Sequence, residues 1–275
     1  MVIFVLKRTI TAIISLMVLI PILIFSGTIV LPIAVAVFTC IALFEMYRCL
    51  GVQKNLILTI PFYIAGACSP FAMRYLRSDI DVWGSAVWAM ALLMLYVMAV
   101  VVISRNKTTF VQAASVFASS FYICFSFCGI IYMRDMENEM IYLLIFIGAW
   151  ITDIFAYLVG RAIGRHKLCP DVSPKKTIEG SIGGIVFCAG AFVLWAYIID
   201  ILYIGIPILI LAGIVASCVS QIGDLSMSAI KRQHGIKDYG KLFPGHGGVL
   251  DRFDSVLAVS SVITIIFAIL NVLSN

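Results

Sequence analysis

Residues 180–222 read GSIGGIVFCAGAFVLWAYIIDILYIGIPILILAGIVASCVSQI, and Asp200 is the sole charge among them. A helix crosses the hydrocarbon core of a bilayer with about 20 apolar residues, so this stretch is too long for one span and adequate for two. It predicts a helical hairpin that turns at Asp200. The apolar run is continuous rather than alternating, which points to helices and not to a lipid-facing barrel, the other structure that satisfies backbone groups in lipid.

Working outward by the same criterion gives spans at 9–25, 29–45, 56–73, 82–103, 110–132, 140–159, 181–199, 202–220 and 255–273. The expected fold is therefore an all-α polytopic membrane protein of about nine transmembrane helices. Composition agrees: the 275 residues are 63% hydrophobic and 12% charged, where soluble domains are about 45–50% apolar and about 25% charged. One soluble core cannot hide that many apolar residues. Disorder, a collagen-like fibre, a disulfide-stapled secreted domain and a conventional nucleic-acid binder are all disfavoured. The eight cysteines show no CxxC pair, and most sit in apolar runs where a thiol behaves as a small hydrophobe.

The formal charge of +5 says less than its sidedness. With nine spans and the N-terminus inside, 16 of the 19 Lys and Arg residues fall on the cytoplasmic side, leaving Arg74, Arg77 and Arg134 outside with Asp79, Asp81, Asp135, Glu137, Glu139 and Asp200. The positive-inside rule thus favours N-in, C-out. Lys7 and Arg8 before an apolar run resemble a signal peptide, but without a convincing small-residue cleavage site the run reads as an uncleaved first anchor. We read 1–275 as a single integral membrane domain, with an N-terminal helix bundle at 1–139 and a C-terminal part at 140–275 that carries the chemistry.

The first 139 residues offer little. Glu45 beside Arg48 reads as an interfacial ion pair, and Trp83 and Trp88 as interface anchors or packing. After residue 148 three polar clusters follow. Asp153 lies inside an apolar helix, with Tyr157 one turn on and Gly160 and Gly164 permitting close helix approach. An ionisable group at that position is costly unless it faces a cavity or a partner; the plain alternative is an internal pair holding two helices together. The second cluster runs from Cys169 to Gly184 and contains Ser173, Lys175, Lys176, Thr177 and Glu179 before a glycine-flanked helix start. Hydroxyls, paired ammonium groups and helix N–H groups suit phosphate oxygens, although two lysines at a membrane edge also serve as a topology signal or a headgroup contact.

The third cluster spans Gln221 to Ser255. Asp224 and Ser228 are four apart, Asp251 and Asp254 three apart, so each pair shares a helix face. Between them lies Pro244-Gly245-His246-Gly247-Gly248, where glycines allow close backbone approach to a ligand. Hard oxygen ligands of this kind suit Mg²⁺, which takes one or two carboxylates together with substrate phosphates, while the lysines and arginines neutralise the remaining charge. A structural zinc site is disfavoured because His234 and His246 have no thiolate partners at suitable spacing. His246 fits a general base, a phosphate donor or a turn residue, and a phosphate or metal-shell role is favoured.

Over these residues the sequence closely resembles the CTP:phosphatidate cytidylyltransferases, also called CDP-diglyceride synthetases. The signature covers 228–254: the Ser-Ala-Ile-Lys-Arg start at Ser228, the pair Lys237 and Asp238, the Pro-Gly-His-Gly-Gly turn, and the Asp-Arg-Phe-Asp end at Asp251 to Asp254. The loop from Ser173 to Gly180 and the helix from Asp153 to Gly164 also look like family elements, so the likeness covers about the second half of the chain.

The resemblance implies CTP + phosphatidate → CDP-diacylglycerol + pyrophosphate on a multi-helix membrane fold. It implies Asp224, Asp251 and Asp254 as metal ligands for Mg²⁺, with room for a second cation, and Lys231, Arg232 and His246 as further catalytic groups. It implies Asp153, Ser173, Lys175, Lys176, Thr177, Ser228, Lys237, Gly247, Gly248 and Arg252 as substrate contacts. Expected partners are CTP, phosphatidate and the lipid bilayer, without nucleic acid and with room for a homodimer. The expected location is a bacterial inner membrane with the active site facing the cytoplasm. The lipid phosphate is already anionic, so the chemistry needs positioning and charge stabilisation more than a strong base. A CTP-dependent polyprenol kinase needs a base for its alcohol and is disfavoured by the full signature. An ion-coupled transporter built on Asp153 is disfavoured because its polar groups belong near the bilayer midplane in repeated halves.

Overall fold

The computed structural model describes residues 17–76, 82–105, 107–245 and 247–274. Eight long helices are present among them: α1 (Val30–Cys49), α2 (Leu56–Tyr75), α3 (Val82–Ile103), α4 (Phe110–Arg134), α5 (Leu143–Ile163), α6 (Ile178–Ile198), α7 (Ile206–Gln233) and α8 (Leu250–Ser274). All eight are long and apolar enough to cross a membrane. Of the expected span at 9–25, residues 9–16 lie outside the described residues and 17–24 form helix.

The hairpin expected at Asp200 is present. α6 ends at Ile198, Asp200 takes a positive φ of 58°, a short 3-10 turn covers Leu202–Ile204, and α7 begins at Ile206. α7 continues well past the apolar run that ends near residue 220, through Asp224, Ser228, Lys231 and Arg232. At about 1.5 Å per residue its length is about 42 Å, more than the roughly 30 Å hydrocarbon core. Polar residues end a hydropathy window without ending the helix, because Asp, Ser, Lys and Arg still permit helical backbone.

One local departure from an all-helical chain occurs between α5 and α6. Strands β1 (Lys167–Cys169) and β2 (Ser173–Thr177) pair antiparallel as a two-stranded hairpin. Neither strand shows the alternation that marks a half-buried strand in a sequence.

The chain packs as two units. The first consists of the residues up to Tyr132 together with Ile236–Arg252; the second consists of Met133–Gly235 and the residues from Phe253 onward.

In the first unit α1 and α2 pack closely at Gly66, where a Cβ would meet Leu43 and Thr39 side chains at 2.9 and 3.0 Å. Between membrane helices such small-residue contacts and hydrogen bonds hold the bundle, since lipid tails are as apolar as leucine. The Tyr47 hydroxyl lies 2.6 Å from Ser120 Oγ, and Asn55 caps α2 through Leu58 N–H while its amide donates to Thr108. Apolar side chains that point outward, including Leu92, Leu95, Val102 and Ile103 of α3, form the surface that lipid would cover.

In the second unit α5, α6, α7 and α8 converge at Gly148. A Cβ there would stand 2.9 Å from Val259, 3.1 Å from Ala216 and 3.5 Å from Phe192. Phe155 and Phe187 stack at 3.8 Å between ring centroids.

Candidate active site

The polar residues of the second unit are brought together by close backbone approaches. Thr177 ends β2 and caps α6, its hydroxyl accepting the Gly180 N–H at 3.2 Å. A Cβ on Gly160 would stand 2.7 Å from that hydroxyl, and one on Gly180 would stand 2.4 Å from the Ala156 carbonyl oxygen. The close helix approach expected at Gly160 is thus what seats β2 against α5. His166 and Glu179 fix the other end of the hairpin: Glu179 accepts the His166 backbone N–H at 3.2 Å, and its carboxylate lies 2.7 Å from His166 Nδ1.

This seating carries Lys176 onto α7, where its Nζ lies 2.5 Å from Asp224 Oδ2. The ammonium nitrogen is shut off from solvent and makes no well-directed hydrogen bond among the described residues, so the tie to Asp224 is an ion pair by distance. An ammonium has three N–H donors, and Lys176 therefore keeps donor capacity toward an incoming anion. At the neighbouring position, a Cβ on Gly223 would meet Ala258 at 2.4 Å and the Asp254 carbonyl oxygen at 3.0 Å. Glycine here lets α7 lie directly on α8 beside the two carboxylates. Asp254 in turn feels the charges of Asp224, Asp153 and Lys231. Lys231 is buried.

Asp153, Lys176, Asp224, Lys231 and Asp254, expected from three separate sequence clusters, thus form one charged group on α5, β2, α7 and α8. Ser228 and Ser173 are half-buried in the same unit, and Lys175 and Arg232 are exposed. Among the described residues no group of three or more carboxylate, thiolate or imidazole side chains converges as a protein-only metal cage. A pair of hard carboxylates near lysines matches the donor set of an ion that draws its other ligands from phosphates and water.

The first unit holds the glycine turn. Gly245 and Gly247 have φ of 78° and 87°, which side-chain-bearing residues rarely adopt, and Phe243 N–H donates to the Gly247 carbonyl at 2.8 Å. Asp251 is buried, and its Oδ2 accepts three backbone N–H groups: Tyr239 at 2.8 Å, Gly248 at 2.9 Å and Gly240 at 3.3 Å. Lys237 and Arg252 are exposed, Gly247 is half-buried and Gly248 buried. His246 lies outside the described residues.

Sequence reasoning missed two residues here. Glu45, read as half of an interfacial ion pair, is instead only 3% exposed, and its carboxylate accepts Val249 N–H at 3.1 Å and Leu250 N–H at 2.9 Å. Arg48, one turn further along α1, donates to the Tyr239 carbonyl. The available signal was a lone carboxylate in an apolar helix, which calls for a buried partner; its partner is backbone, which a sequence does not display.

The helices define an integral membrane protein, and its charged group of carboxylates and lysines is of the kind that handles phosphate-bearing substrates. The sequence model of the cytidylyltransferase family matches residues 6–270, and the chain belongs to that family. It is 36% identical over 263 residues to a protein of Staphylococcus epidermidis named phosphatidate cytidylyltransferase, covering 94% of this chain and 97% of the relative. Proteins of the same name from Staphylococcus haemolyticus, at 33% identity, and Staphylococcus aureus, at 36%, match over equal shares of both chains.

Proposed function

We propose that this chain transfers the CMP moiety of CTP to phosphatidate, giving CDP-diacylglycerol and pyrophosphate. The observation that carries this reading is the match to phosphatidate cytidylyltransferases across nearly the whole chain. The charged group of Asp153, Lys176, Asp224, Lys231 and Asp254 supports it chemically.

In this reaction a phosphate oxygen of the lipid attacks the α-phosphorus of CTP while the bond to the pyrophosphate oxygen breaks. Both reactants are anions, so the protein's task is to hold them in line and to offset charge on the departing pyrophosphate. Lys176 and Lys231, whose ammonium groups are screened from solvent, donate to phosphate oxygens, and the exposed Lys175, Arg232, Lys237 and Arg252 are further phosphate donors. Ser173 and Ser228 orient those oxygens. The Thr177 hydroxyl serves chiefly to cap α6, and Gly247 and Gly248 leave the room that the Asp251 and Glu45 carboxylates occupy in shaping the turn. His246 donates to phosphate.

Asp224 and Asp254 would hold Mg²⁺, while the Asp251 carboxylate serves the loop through three backbone N–H groups. When bound, the ion neutralises triphosphate charge and favours pyrophosphate departure. Asp153 faces the lipid headgroup.

The sidedness of positive charge supports a site open to the cytoplasm, where CTP is present, in the cytoplasmic membrane of a bacterium, with the N-terminus inside and the C-terminus outside. Purified protein given CTP, phosphatidate and Mg²⁺ should form CDP-diacylglycerol; failure to form any nucleotide-linked lipid overturns the proposal.

A further inference from the structure

The Glu45 carboxylate does more than satisfy two amides. Val249 precedes α8 and Leu250 opens it, and the first N–H groups of a helix have no partner within the helix. Glu45 supplies that partner from α1, one carboxylate oxygen to each N–H. The loop is shaped around the same carboxylate: a Cβ on either Gly240 or Gly248 would fall within 2.0 Å of Glu45 Oε1. Arg48 takes the Tyr239 carbonyl, and Asp251 gathers Tyr239, Gly240 and Gly248 N–H from the other side. The segment from Tyr239 to Leu250 is therefore held at both ends by side chains of α1, and Asp251 ties the same two ends together through Tyr239, Gly240 and Gly248. Lys237, Lys241 and Arg252 are exposed around this buried base.

Lys241 on the tethered loop, with Lys237 just before it and Arg252 just after it, suits the most highly charged reactant, a nucleoside triphosphate, better than a single lipid phosphate. We infer that Glu45 is a positioning residue that holds the 239–250 loop in the shape that receives the triphosphate of CTP. The inference rests on the proposed reaction, and Glu45 itself touches no substrate.

The test compares the wild-type protein with Glu45→Gln, both purified in detergent. Glutamine keeps one acceptor and turns its amide toward the second N–H. Hydrogen exchange of peptides covering 239–250 should quicken at least tenfold, with helices α5 to α7 unchanged. The KM for CTP should rise about tenfold and the KM for phosphatidate less than twofold. In an Arg252→Ala background the same substitution should change kcat/KM less than twofold, because its effect runs through the loop. A merely structural role would lower the active fraction and leave both KM values alone. Unchanged exchange in 239–250, an unchanged KM for CTP, or an undiminished effect in the Arg252→Ala background would overturn the inference. A wild-type protein that makes no CDP-lipid would sink the proposed reaction instead, and exchange alone would then decide whether Glu45 holds the loop.

Discussion

Lys176 Nζ lies 2.5 Å from Asp224 Oδ2, joining β2 to α7 through a pair of opposite charges. The carboxylate does not stand alone, since Asp254 feels its charge together with those of Asp153 and Lys231.

Replacing Asp224 by Asn, or Lys176 by Met, should lower CDP-diacylglycerol formation by about 100- to 1000-fold, the scale of removing one preorganised charge from a phosphoryl-type transition state. Membrane insertion should be unaffected, because neither side chain belongs to an apolar helix contact. Assay of reconstituted protein with normalised membrane content checks this, and near-wild-type turnover in either variant would contradict it.

Asp254 and Asp251 should respond in opposite ways. Asp254→Asn removes one of several like charges, so turnover should fall by about 100-fold or more while the melting temperature does not drop. Asp251→Ala leaves three buried N–H groups without their acceptor, each costing about 1–3 kcal/mol. The melting temperature should therefore fall clearly before any catalytic effect is interpreted. Thermal unfolding in one detergent separates the two, and a fully stable Asp251→Ala protein would refute the loop-holding role.

Gly248→Ala would drive a methyl group into the Glu45 carboxylate, at 2.0 Å from Oε1. Overpacking of this kind costs about 1–3 kcal/mol. Lower thermal stability together with faster exchange at Leu250 is expected; an unaltered protein would show that the loop and α1 separate more readily than their contacts suggest.

The parts legible in the sequence were those set by composition and spacing. Asp200, the lone charge in a double-length apolar run, marked its hairpin correctly, and every later helix falls within a few residues of its expected position apart from the polar extension of α7. The grouping of Asp153, Lys176, Asp224 and Asp254 was approachable because each is a charge at the edge of an apolar helix or beside a glycine. Glu45 was not, because its ligands are the N–H groups of Val249 and Leu250, roughly two hundred positions later and chemically identical to every other backbone amide. The β1–β2 hairpin was missed because its strands are short, charged and interrupted by Pro174, a pattern that reads as loop.

Sidedness is open to direct test. In a background without native cysteines, Lys237→Cys should react with a membrane-impermeant maleimide only when the cytoplasmic face is exposed. Reaction solely from the outer face would reverse the proposed orientation.

The most direct test of the central claim supplies purified protein with phosphatidate, Mg²⁺ and CTP labelled at either the α- or the γ-phosphate. The account predicts that α-label enters the lipid fraction as CDP-diacylglycerol while γ-label leaves as pyrophosphate. Transfer of γ-label to lipid, or no labelled lipid from either, would contradict it.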